Sequence, residues 1–137
     1  MSEYSLVHFE VSAAEAGAAV GALTSGTMVA YVRGLLVAAG WRAEGTVENI
    51  VEDAWQCALD HNGIRFVLSG AMTETRAGSA HDWRAAVISM GPESRRGFLD
   101  RLLGRNRPDP AAAAEARNAA LAILGRAAGI RNLRGEA

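Results

Sequence analysis

Near the middle of the chain a stretch from Thr73 to His81 is rich in Gly, Ser and Thr, and His81-Asp82 closes it just before Trp83. A carboxylate beside an imidazole can raise the ring's pKa and orient it as a general base. Adjacent residues on an extended chain point opposite ways, which opposes a direct bond between these two side chains. His81 and Asp82 are therefore catalytic candidates on residue type more than on geometry. Thr73, Glu74, Thr75 and Ser79 are their polar neighbours, and Trp55 and Arg84 are candidate ligand contacts beside the same site. The simpler reading of the stretch is a solvated loop.

Other constellations are weaker. Gly21 to Thr27 has the glycine spacing of a phosphate loop but lacks the lysine that contacts the phosphates. His8, His61 and His81 are the only histidines, with no metal-ligand spacing among them, and no metal or cofactor is expected. Glu44, Glu48, Glu52 and Asp53 form an acidic run, read as a charged edge that discourages sheet-to-sheet contact rather than as a cation site. Cys57 lies mid-strand among apolar residues and reads as a small buried hydrophobe.

Charge is unevenly placed along the chain. Residues 1–60 hold eight acids and two arginines, whereas residues 61–137 hold seven acids and twelve arginines. Arg95, Arg96, Arg101, Arg105 and Arg107 crowd one segment and are candidates for binding an acidic partner. Nucleic acid is disfavoured by the interleaved Glu93, Asp100 and Asp109 and by a sequence pI near 6.3. Pairing of the acidic and basic halves, within the fold or across a dimer, is the expected use of this asymmetry.

Composition narrows the chemistry further. All 14 basic residues are Arg, so Schiff-base chemistry, a phosphate-loop lysine and a Ser-Lys dyad are excluded. The abundance of Arg and Ala fits GC-rich bacterial coding. A lone cysteine forms no internal disulfide, in keeping with a reducing cytoplasm. No early basic residue marks a signal peptide, and the longest uncharged run, Ala16 to Val32, is too short and too polar for a membrane span.

Period-two alternation from Tyr4 to Val11 predicts a strand with Val7, Phe9 and Val11 on one face and His8 and Glu10 on the other. Ser12 to Glu15 has the spacing of a capping box. The glycines that follow leave residues 13–22 open between a short helix and a loop. Met28, Val32, Leu35, Leu36 and Ala39 then mark a helix, stopped by Gly40-Trp41. Asn62-Gly63 predicts a type I′ hairpin. That turn sets His61 against Ile64, Asp60 against Arg65, Leu59 against Phe66, Cys57 against Leu68 and Trp55 against Gly70, with Trp55 covering the bare backbone of Gly70. Trp83 to Met90 reads as another strand and Phe98 to Leu103 as a short helix. Asp109-Pro110 opens a last helix that reaches Ala128, and Ile130 to Leu133 adds a possible terminal strand.

The expected architecture is one α+β domain over residues 1–137: an antiparallel sheet of about four strands, with two or three helices on one face. This order of elements resembles that of type III secretion chaperones and of small immunity proteins, in arrangement alone, and no residue is carried over from either. The expected function is a non-catalytic protein-interaction domain of the bacterial cytoplasm, partnered by another protein or by itself as a homodimer. The alternatives are a ligand-binding domain or enzyme with a polar site near His81 and Asp82, and Arg-mediated nucleic-acid binding.

Overall fold

A computed structural model describes residues 5–17, 23–51, 54–73, 83–92 and 110–136. Their elements are β1 (Ser5–Ser12), α1 (Ser25–Ala38), β2 (Arg42–Val51), β3 (Ala54–His61), β4 (Ile64–Met72), β5 (Trp83–Pro92), α2 (Pro110–Gly125) and β6 (Ile130–Glu136). The strands form one sheet in the order β2-β3-β4-β5-β1-β6, antiparallel at every junction. Among the described residues the sheet thus has six strands rather than about four, and two helices pack on it. The expected helix from Phe98 to Leu103 and the Asp109 cap lie outside the described residues.

Local chemistry accounts for most of these elements. Asn62 and Gly63 both take positive φ, 52° and 78°, as a type I′ turn requires. The hairpin register is the expected one, from His61↔Ile64 to Trp55↔Gly70. Thr24 caps α1 by accepting the Thr27 N–H at 3.1 Å, an interaction whose loss costs about 1 kcal/mol. Ser25 and Gly26 belong to the first turn of this helix instead of breaking the chain before it. The Ser25 hydroxyl accepts the buried Met72 N–H at 2.9 Å and so ties the helix start to the end of β4. Half of the expected Ser12 box forms, with Glu15 N–H donating to Ser12 Oγ at 3.3 Å, but Ser12 N–H donates to the Gly129 carbonyl at 2.8 Å and a turn, not a helix, follows as far as Gly17, where φ is 78°.

β2 is the added strand. It is an edge strand in which only Ala43, Glu44 and Val47 are partly covered. With neither face buried it carries no period-two pattern, and its apolar residues read as a lead-in to β3. Its pairing shifts register between Glu44 and Glu48, around Gly45 at φ 65°. The Arg33 guanidinium on α1 donates to the Gly45 carbonyl at 2.8 Å and holds this bulge.

One face of the sheet is sealed by the helices. Val7, Phe9 and Val11 of β1, Ala86, Ile88 and Met90 of β5, Phe66, Leu68 and Met72 of β4, and Cys57 and Leu59 of β3 pack there against Met28, Val29, Val32 and Leu36 of α1 and Ala116, Ala120 and Leu124 of α2. The close seat of α1 explains Gly70. A Cβ there would come within 2.9 Å of Ile88 Cγ2 and 3.0 Å of Met28 Cε and Val29 Cγ2. These side chains are the nearest to Gly70, whose cross-strand neighbour is Trp55. The Trp55 indole also lies on Gly26, where a Cβ would meet it at 3.0 Å.

The last helix ends at Gly125, short of the expected Ala128, so Gly129 lies in the turn before β6 and differs from Gly40, the stop of α1. Gly40 adopts φ 107°, and Trp41 N–H returns to the Leu36 carbonyl at 3.0 Å. Gly129 needs no positive φ; a Cβ there would overlap the Tyr31 hydroxyl and Glu15 Cβ. The first glycine answers to backbone geometry, the second to the approach of α1.

Candidate functional site

The outer face of the sheet, away from the helices, displays the alternate residues of each strand. Ala58 of β3, Val67, Ser69 and Ala71 of β4, and Ala85, Val87 and Ser89 of β5 lie there, all half-buried. Toward β6 this face turns polar. His8 and Glu10 of β1 stand opposite Arg134 and Arg131 of β6. The Arg131 guanidinium donates from Nε to Glu10 Oε1 at 3.1 Å, and the Asn132 amide donates to the same oxygen. Arg131 also lies over the Trp83 ring, 4.2 Å from its centroid.

Backbone irregularity makes this cluster. Between His8 and Glu10 the pairing with β6 slips, and Asn132 takes φ 56°. The slip places Asn132 as well as Arg131 on the Glu10 carboxylate. Those two donors, Arg131 first, hold the Glu10 carboxyl below its ordinary value of 4.5, against a smaller opposing effect of desolvation. Beside the cluster is an open depression of about 380 Å³, lined by His8, Glu10, Thr73, Ala85, Asn132 and Arg134 among others. A second void, of about 10 Å³ between α1, α2 and the sheet, is lined almost wholly by apolar side chains and is a packing defect.

The two edges of the sheet carry opposite charge. β6 presents Arg131 and Arg134, both exposed. β2 presents Glu44 and Glu48 on the outer face, opposite Ala58 and Gln56 of β3. Ile50 and Val51, 48% and 61% exposed, are the barest large apolar residues described. Among the described residues the side chains of Glu44, Glu48 and Arg134 make no hydrogen bond or close ion pair, although the Arg134 charge helps to lower the Glu10 carboxyl. The charge asymmetry along the sequence therefore reappears as an acidic and a basic edge.

The sequence candidates are scattered by comparison. His81 and Asp82 lie outside the described residues, as do Arg95, Arg96, Arg101, Arg105 and Arg107. Thr73 and Trp83, which flank the polar stretch, both reach the cluster or its depression. Arg84 is buried on the helix side, opposite Val11. Trp55 is on that side too, but opposite Gly70, which faces Ile88. Arg84 is thus two strands away and four residues along, so the two do not share a site. Burial pushes the Cys57 thiol up to about 11, against a smaller pull from Arg33, so it stays protonated and inert at neutral pH.

Sequence reasoning missed Glu10, Arg131, Asn132 and Arg134 as a group. The alternation of β1 placed His8 and Glu10 on the polar side, which was half of the signal. The other half came from β6, whose pairing with β1 spans over a hundred residues. Among the described residues no three His, Cys, Asp or Glu gather as metal ligands, and no helix is long and apolar enough to cross a membrane. Comparison of the chain with protein-family models, with curated proteins and with solved structures finds no match.

Proposed function

We propose that the chain is a non-catalytic protein-interaction domain, chaperone-like or immunity-like in kind, whose first partner is a second copy of itself. The observation that carries this reading is a sheet that, among the described residues, has helices on one face only and acidic and basic edges at its two ends. Such a molecule offers complementary surfaces to its own kind. Six strands about 4.8 Å apart and about eight residues long also give the outer face roughly 700 Å², near the ~800 Å² that each partner of a standard interface buries.

Light scattering over a concentration series tests the proposal. The mass rises with concentration if the reading is right; a monomer that persists to millimolar concentration ends it. A second reading rests on the depression beside Glu10, where Arg134 and Thr73 are among the lining residues that carry donors for a small anion. Titration with acetate and with inorganic phosphate, followed by amide chemical shifts of β1 and β6, decides it. Saturable shifts confined to those strands support the ligand site, and unchanged spectra remove it.

A further inference from the structure

We infer that copies of this chain join head to tail, the β2 edge of one against the β6 edge of the next, with Glu44 facing Arg134 and Glu48 facing Arg131. This rests on the self-association reading and specifies its contact.

Four features of the sheet lead to this arrangement. The first is parity. With six strands antiparallel at every junction, β2 and β6 run in opposite directions. Placing one copy beside the next, helices on the same side, therefore continues the antiparallel alternation. The second is the face. Glu44 and Glu48 share the outer face with Ala58 and Gln56, while Arg134 and Arg131 share it with His8 and Glu10. In the joined sheet all four charged side chains lie on one side.

The third feature is spacing. Glu44 and Glu48 are four apart in sequence, yet the bulge at Gly45 sets them against Ala58 and Gln56, two residues apart. Arg131 and Arg134 are three apart, yet the slip at Asn132 sets them against Glu10 and His8, again two residues apart. Both pairs therefore span one pleat repeat, about 7 Å. Antiparallel alignment lays one pair upon the other. The same register puts the positions of Arg42 and Glu136 opposite each other and carries the exposed Ile50 and Val51 toward the turn at Ala128-Gly129.

The fourth is what the alternatives cost. In the register that overlaps the charged pairs, antiparallel pairing of β2 with β2 sets Glu44 against Glu48, and of β6 with β6 sets Arg131 against Arg134. Like charges directly opposite are destabilising on a sheet. The charged, bulged edges that deter like pairing thus favour unlike pairing. Arg131 keeps Glu10 and gains a second carboxylate, which its fork of donors can serve. The contact is heterologous, so it propagates into a chain or ring of copies instead of closing as a two-fold dimer.

Sedimentation velocity on the full chain tests this with Glu44→Arg and Arg134→Glu, both on exposed edge strands, with circular dichroism to verify that each is folded. Each variant alone sets like charges in contact, and its dissociation constant should rise about tenfold. Mixed in equal amounts, the two restore every opposite-charge contact, and association should return to the wild-type level. Association should also weaken as salt rises from low ionic strength. Variants that associate as tightly as the wild type would overturn the head-to-tail contact and leave the self-association reading standing, with the outer sheet face as the contact. Failure of the mixture to recover would also overturn it. A wild-type chain that never associates removes both.

Discussion

On β4, Phe66 and Leu68 are almost completely buried, while Val67 and Ser69, one residue along, keep part of their surface in water. The same contrast holds on β5 between Ile88 and Val87. Two faces built from the same strands have been given different tasks. The helix side carries large aliphatic residues and one glycine where α1 comes closest. The outer side carries Ala, Ser and Val in the middle and charge toward its edges. A single step of register separates burial that stabilises the fold from surface left for contact.

The contrast is broken most severely by Leu68→Ala. It removes a fully buried side chain beneath α1 and should cost about 2–5 kcal/mol, read as a lower urea midpoint; a cost below a tenth of that would show that the helix side is loosely packed. Gly70→Val overfills the site beside Met28, Val29 and Ile88 and should cost about 1–3 kcal/mol. Its neighbour Ala71→Val points outward and should stay within about 0.5 kcal/mol of wild type. Equal effects at the two positions would erase the distinction between the faces.

A comparably small effect concerns charge. Glu10→Gln should change stability at neutral pH by less than ~1 kcal/mol, because the pair with Arg131 is partly solvated. Its pH dependence is the sharper readout. The folded-state pKa of Glu10 lies below the ordinary 4.5, so its contribution is complete above that value and is lost as the pH falls through the folded pKa. The stability difference between wild type and variant should close in acid. A difference that is constant from neutral pH to pH well under 4.5 would contradict the Arg131 and Asn132 contacts.

Much of the fold was legible because it is local. The Asn62-Gly63 turn alone predicts the five named residue pairs between β3 and β4, and each is present. The alternation of β1 correctly divides Val7, Phe9 and Val11 from His8 and Glu10. The helix from Met28 was readable from its apolar spacing, though its start was not: Ser25 has its partner in Met72, 47 residues away. β2 was hidden because an edge strand in water needs no apolar alternation. The Glu10 cluster was hidden because Arg131 lies 121 residues from it.

The residues by themselves therefore determined the turn, the Gly40 stop of α1, the inward and outward sides of each well-covered strand, and the division of charge between the two halves of the chain. These follow from backbone preferences and from side-chain period, which act over a few residues. Which strands became edges, which of them met β1, and how two bulges brought the acidic and basic pairs to equal spacing were decided only by the assembled sheet. Pairing between distant segments is selected by the burial of the whole core, and no short stretch of sequence contains that information.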